Sequence, residues 1–350
     1  MKYLYLLLVF VPIAIIAELL HWNETVIFAT SALGMVPLAG ILGNATEDLA
    51  AHAGPRVGGL INATLGNAAE LIITIFALRE GLLDLVKASI TGSILGNILL
   101  VLGFSLLLGG LRNGIQTFNR RQAGISATMM TLSVIALGIP TLFGTAVGQR
   151  NAGPVEQLSI SVAVIMILLY ILSLVFSFVS DRDEAGPAAA VGHHEAGRSM
   201  PVATGLLLAS TIFIAWLSEI LVGAVEPVVQ SLGVTEFFLG IIIVPLVGNV
   251  AEHLVGVQSA VKNSMDLSLS ISLGSSMQIA LFVAPLLVFI GIALGHPMDL
   301  VFNAFELVSL GFAVLIASLI ALDGESNWLE GAQLLAVYMI IALAFYFLPV

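Results

Sequence analysis

The chain has 350 residues, of which 59% are hydrophobic and only 9% charged, against about 25% charged in an ordinary soluble protein. Eleven Lys and Arg stand against 22 Asp and Glu, for a formal net charge of -11, and cysteine is absent. This composition excludes a soluble globular chain, a nucleic-acid binder with its basic footprint, and any disulfide framework, thiolate metal site or thiol nucleophile. It predicts an all-α integral membrane protein whose chemistry runs on oxygen and nitrogen.

A helix needs roughly 20 mostly apolar residues to cross the hydrocarbon core, and eleven such stretches are legible. They run near 3–20, 27–53, 57–79, 84–108, 122–143, 156–179, 202–225, 236–261, 266–293, 300–321 and 328–348. Lys2 ahead of the first stretch has the look of a signal peptide, but no A-x-A cleavage site follows and the stretch is read as a helix. One long hydrophilic loop, Asp181 to Met200, rich in Ala, Gly and His, reads as a flexible cytoplasmic linker. The expected organisation is therefore an N-terminal helix and loop over 1–24, a five-helix repeat over 25–180, the linker over 181–200 and a second five-helix repeat over 201–350.

Cytoplasmic loops retain Lys and Arg. With the N-terminus inside, that side collects Lys2, Arg56, Arg112, Arg120, Arg121, Arg182, Arg198 and Lys262, and the other side only Arg79, Lys87 and Arg150. The expectation is a multi-pass cell-membrane protein with a cytoplasmic N-terminus and, after an odd number of spans, an external C-terminus.

The halves are related. Gly66-Asn67-Ala68-Ala69-Glu70 in the third stretch returns as Gly248-Asn249-Val250-Ala251-Glu252 in the eighth, at an offset of 182 residues that Asp84 and Asp266 share. Five spans separate the copies, so they cross in opposite directions, the inverted-repeat design of many secondary transporters, which bind substrate at the midplane.

A glutamate within a membrane helix is costly, so it usually faces a cavity and a partner and marks an ion pathway. Glu70 and Glu252 sit in mid-span. Asn67 and Asn249, three residues earlier, put an amide on the same helical face. Gly66 and Gly248 let the helix break and bare backbone carbonyls. Ser93 with Asn97 occupies one face of the fourth stretch, and Ser275 with Gln278 does the same in the ninth. The offset is 182 for Ser93 to Ser275 but 181 for Asn97 to Gln278, which a one-residue insertion reconciles. Two carboxylates with several amide, hydroxyl and carbonyl oxygens suit a hard divalent cation such as calcium, which takes six to eight oxygens in a flexible cage; zinc or copper would want imidazole or thiolate. A lone intramembrane glutamate can be a protonated structural residue, and most of the 34 glycines must serve helix packing; the symmetric pair of carboxylates is what favours a site.

Other polar groups have two readings. Glu47, Asp48 and His52 in the second stretch, and Glu219 and Glu226 in the seventh, line an ion vestibule or proton path, or they cap helix ends at the interface. His253 lies about 100° around the helix from Glu252 and need not face the site. Glu306 reads as a structural partner within the bundle. No HExxH pair or G-x-S-x-G elbow points to an enzyme, and no resident cofactor is called for.

At these residues the sequence resembles the calcium/proton antiporter (CAX) family of the cation/calcium exchanger superfamily. The resemblance is carried by GGLINATLGNAAELIITIFALREGLLDLVKASITGSILGNILLVLG from Gly58 to Gly103 and by VPLVGNVAEHLVGVQSAVKNSMDLSLSISLGSSMQIALFVAP from Val244 to Pro285, and it extends to Ile41 to Gly59. It implies exchange of calcium for protons, with Glu70 and Glu252 as the shared cation-binding carboxylates and the GNxAE form of the repeat as the mark of proton coupling. A sodium-coupled calcium exchanger or a cation channel could use the same oxygens. The family's acidic loop between the sixth and seventh spans is thin here. Asp181, Asp183, Glu184 and Glu195 are interrupted by Arg182 and Arg198, which speaks against calcium regulation through it. The long N-terminal regulatory extension of some eukaryotic relatives is missing, which favours a prokaryotic cell membrane over a vacuole. The expected partners are calcium, protons and the lipid bilayer, without nucleic acid, and a homo-oligomer stays among the assemblies allowed.

Overall fold

The computed structural model describes residues 4–147, 152–180 and 197–348. Most of the linker, 181–196, with its acidic residues, therefore lies outside the described residues. Within the bilayer every backbone N–H and C=O must find a partner inside its own segment, and the chain meets that demand with helices: α1 (Leu4–Leu19), α2 (Glu24–Gly54), α3 (Val57–Arg79), α4 (Leu83–Asn113), α5 (Arg120–Val147), α6 (Gly153–Ser177), α7 (Met200–Gly223), α8 (Val225–Leu232), α9 (Glu236–Gly248), α10 (Val250–Val261), α11 (Met265–Leu294), α12 (Ala304–Ile320) and α13 (Trp328–Phe347).

Among the described residues eight of these are long and apolar enough to cross a membrane, namely α2 to α7, α11 and α13; α1 and α12 are shorter apolar helices. Each of the eleven expected stretches coincides with a helical segment, the eighth with α9 and α10 together. The sequence did not announce α8, which meets α9 at a bend of 114°. Glu226, expected on the seventh span, falls instead in the first turn of this separate helix. Among the described residues three helices carry π-helical turns, at Gly96–Val101 in α4, Leu239–Ile243 in α9 and Ile279–Val283 in α11. Such turns are rare, occur mostly as single-turn bulges inside α-helices, and are frequent at functional sites.

Local signals explain the boundaries. Asn23 caps α2 by accepting from Thr25 N at 2.9 Å, and Thr235 caps α9 by accepting from Phe238 N at 2.9 Å. Gly54, at φ 80°, separates α2 from α3. A side chain resists that left-handed conformation, so glycine is the residue that turns the chain there.

The described residues divide into two compact units, one drawn from Met1–Ser89, Gly192–Glu252 and Ala344–Val350 and the other from Ile90–Val191 and His253–Leu343. Each unit takes segments from both halves of the sequence. In the first, α2 packs against α1, α7 and α8, and α3 against α7. Gly34 makes the α1–α2–α7 approach close: a Cβ there would stand 3.1 Å from Leu217 Cδ1 and 3.1 Å from Val11 N, the small-residue packing expected where lipid gives helices no hydrophobic reason to associate.

In the second unit α5 packs against α12 and α11, and α6 against α11, with Tyr170 and Phe282 stacked at 5.4 Å between centroids. The segment between α11 and α12 is pinned by side chains, Leu300 N donating to Ser159 Oγ at 3.0 Å and Phe302 N to Thr141 Oγ1 at 2.9 Å. Among the described residues the departure from all-helix is one pair of two-residue antiparallel strands, β1 (Gln116–Thr117) and β2 (Glu325–Ser326).

Candidate functional site

In the first unit both copies of the repeated motif break their helix at the asparagine. The first segment of α3 ends at Leu65 with Gly66 as its C-cap, Asn67 sits at φ -98° and ψ 27°, and the helix resumes at Ala68. Helix α9 stops at Gly248, Asn249 sits at φ -100° and ψ 2°, and α10 begins at Val250. A helix end takes its last carbonyls, and the next segment its first N–H groups, out of the regular intrahelical ladder. Glu70 and Glu252 fall in the first turn of the resumed helices, where the helix dipole favours negative charge.

Asn67, Glu70 and Asn249 are buried, and Glu252 is half-buried. The Asn249 side chain hydrogen-bonds the Glu70 carboxylate, and the Glu252 carboxylate lies near enough to act on Glu70 electrostatically. Glu70 Oε1 is a buried oxygen with no hydrogen-bond partner among the described residues. Thr74 Oγ1 donates to the Glu70 backbone carbonyl at 2.7 Å and ties the first turn of the resumed helix together. The glycine of the second copy has a steric reason: a Cβ on Gly248 would stand 3.0 Å from Glu70 Cγ, 3.1 Å from Cδ and 3.2 Å from Oε1. The two motifs thus close on each other at a position where even a methyl group would press on the Glu70 side chain.

No group of three or more His, Asp or Glu side chains that could hold a metal ion occurs among the described residues. An ion bound here would draw on two carboxylates and complete its shell from amides, backbone carbonyls and water. That set suits a hard, oxygen-seeking cation that tolerates mixed ligands.

The second unit brings together another part of the expected oxygen set. Asn97 Nδ2 donates to Ser275 Oγ at 3.1 Å, joining α4 to α11. Ser93, Asn97 and Ser275 are buried and Gln278 is half-buried. The change of offset from 182 to 181 falls at the π turns that begin beside Asn97 and Gln278, six residues long in α4 and five in α11. Both copies therefore carry a π turn just where the polar residues Asn97 and Gln278 stand.

The remaining candidates divide. Glu306, fully buried, accepts from Thr91 Oγ1 at 2.9 Å and from Asn303 N at 2.8 Å and completes a capping box on α12, which makes it the structural partner expected. Asp48 accepts from Gly197 N at 2.8 Å and pairs with Arg198 at 3.2 Å, anchoring the chain that leads into α7. His52 Nδ1 hydrogen-bonds the Asp48 carbonyl at 2.8 Å. Glu219 stands 3.9 Å from Arg79, both of them well exposed. His253 is buried and belongs to the second unit, whereas Glu252 belongs to the first. Sequence reasoning missed the approach of Gly248 to Glu70 and the π turns; neither is written in residue type, because each depends on what a distant segment does.

Comparison with known proteins gives a consistent picture. The family model described as sodium/calcium exchanger protein matches residues 23–179 and 202–347. A Ca(2+)/H(+) antiporter of Aphanothece halophytica is 46% identical over 358 residues, covering 98% of this chain and 96% of that protein. The Ca(2+)/H(+) antiporter ChaA of Bacillus subtilis is 46% identical over 342 residues, covering 97% of each. The solved structure of native YfkE superposes with a TM-score of 0.86 at 42% identity, covering 99% of this chain and all of that one. The H+/Ca2+ exchanger CAX, at 17% identity and a TM-score of 0.73, shares the fold.

Proposed function

The chain belongs to the sodium/calcium exchanger protein family, and from that premise we propose that it is a secondary active antiporter exchanging calcium for protons across a membrane. Its relatives over almost its whole length are transporters of this kind. The observation that carries the reading is the meeting of Glu70 with Gly248 and Asn249 at two matched helix breaks, with Glu252 close by.

The mechanism follows from competition. Glu70 and Glu252 as carboxylates neutralise a divalent cation, and the same oxygens hold protons when the cation leaves, so the two substrates exclude each other. Asn67 and Asn249 supply neutral oxygens; Gly66 and Gly248 permit the breaks that expose backbone carbonyls. The assignment of Ser93, Asn97, Ser275 and Gln278 as further neutral ligands is a proposal of its own, judged by the calcium affinity of Asn97→Ala. Alternating access at a midplane site between inverted repeats over 25–180 and 201–350 would complete the cycle. The basic residues favour a cytoplasmic N-terminus and an external C-terminus; a unique cysteine at position 192 should then react only from the cytoplasmic side.

The deciding experiment is calcium uptake into proteoliposomes under an imposed pH gradient, with and without sodium. Uptake driven by the proton gradient and indifferent to sodium is expected. Uptake that requires sodium, or that continues with no counter-ion gradient, overturns the reading in favour of a sodium-coupled exchanger or a channel.

A further inference from the structure

Four buried oxygens of the second unit have no hydrogen-bond partner among the described residues: the hydroxyls of Ser105, Ser268 and Ser272 and the side-chain carbonyl of Gln116. The serines are 0% exposed and Gln116 is 1% exposed. Buried polar groups are almost always satisfied, by protein or by ordered water, so four in one unit point to a ligand between them.

Their arrangement is linear. Ser268, Ser272 and Ser275 are spaced i, i+4 and i+7 on α11, which puts them on one face, and it is Ser275 on that face that meets Asn97 of α4 at 3.1 Å. Gly256 of α10 shows how the two helices continue: a Cβ there would lie 3.2 Å from Val101 Cγ1 of α4 and 3.7 Å from Ile271 Cγ2 of α11. Residue 97 thus pairs with 275, and 101 comes level with 271, so α4 and α11 run antiparallel. One turn beyond Val101, Ser105 comes level with Ser268. One turn further, a Cβ on Gly109 would collide with the Gln116 side-chain carbonyl. Gln116 Nε2 donates to the Ala260 carbonyl at 2.8 Å and to Asn263 Oδ1 at 2.9 Å, and Asn263 is exposed. From Asn97–Ser275 to this rim the polar positions recur every three or four residues, about 5–6 Å at the helical rise, which is the span of two hydrogen bonds through one water.

We propose that the α4–α11 face holds a file of ordered waters that carries protons between the Asn263 rim and the Asn97–Ser275 oxygens, a proton route distinct from that of calcium. The chemistry separates the two ions. The oxygens of the file are neutral and come singly, one per turn, where calcium needs six to eight oxygens around it at once. A proton needs only a lone pair to join and a hydrogen to release. Each water or hydroxyl accepts one proton and passes another on, so the file is left chemically unchanged after every transfer. Lys262 and Asp266, both exposed, stand beside Asn263 at the rim end. The proposal rests on the antiport reading, because it gives that exchange its proton path.

The test uses the full-length protein in vesicles and the absence of native cysteine. In S268C and in S272C, silver ions, small enough to follow water, should reach the new thiol and protect it from maleimide after denaturation. Ala280, equally buried on α11, provides the dry control as A280C, whose thiol should stay unprotected. The triple variant S105A/S268A/S272A should slow proton-coupled exchange about tenfold, the rate equivalent of one hydrogen bond lost from the barrier state, with calcium affinity unchanged. Thiols that silver cannot reach, or an unchanged exchange rate in the triple variant, overturn the file. A calcium affinity that falls together with the rate overturns it too, by assigning the serines to the cation's own shell. If the unmodified protein moves no protons against calcium, the antiport reading fails in the same vesicles, while silver protection still judges whether the face is wet.

Discussion

Replacing Gly248 with alanine tests the geometry of the carboxylate site at the point where it is tightest. The new methyl group would stand 3.0 Å from Glu70 Cγ and 3.2 Å from Oε1, where ordinary contact begins at 3.4 Å. The glutamate must therefore retreat by about 0.4 Å, and calcium–oxygen distances span only about 2.3–2.6 Å. A displacement larger than that window costs the ion a ligand. Misorienting a ligand shell typically lowers metal affinity about 10- to 100-fold, and that is the expected loss of calcium affinity by titration calorimetry. Gly43→Ala makes the same change on α2 where nothing lies within 4 Å, and should leave affinity within about twofold while gaining roughly 0.5–1 kcal/mol of helix stability. Equal affinities for Gly248→Ala and the unmodified protein would refute the argument, because Glu70 would then not hold the ion from the position the structure gives it.

Glu70→Gln and Glu252→Gln should each abolish proton-driven calcium uptake while leaving the protein folded, and near-normal transport by either would remove that carboxylate from the site. Asn249→Ala should weaken calcium more than Asn67→Ala does, since Asn249 also holds the Glu70 carboxylate; the reverse order in binding titrations would count against this. Calcium affinity should fall as the solution becomes more acid, with proton release measurable by calorimetry in buffers of different ionisation heat; affinity flat across the acid range would rule out shared carboxylates. Glu306→Ala strips an acceptor from the fully buried Thr91 and another from Asn303 N, and should cost about 1–3 kcal/mol in thermal unfolding without changing calcium affinity. An unaltered melting temperature would show that the capping box contributes little.

Much of this protein was legible in its residues alone. Spans are forced by apolar runs, because lipid leaves the backbone no other way to pair its polar groups, and so the eleven stretches each reappear as helix. The repeated Gly-Asn-x-Ala-Glu motif likewise announced both breaks: glycine with asparagine weakens a helix wherever it occurs, and that is local chemistry. Tertiary structure decided what depends on distant neighbours. Glu47, Asp48 and His52 read equally as a proton path or as helix ends, and it is Gly197 and Arg198, some 150 residues away in sequence, that make Asp48 an anchor. Glu306 became a cap only once Thr91 was beside it. The tightness at 248 is invisible in the motif, where helix breaking explains the glycine well enough; it is the Glu70 side chain, arriving from another helix, that a methyl group there would displace. Residue type sets what each segment of backbone does by itself, whereas the space around a side chain belongs to whichever segment packs against it.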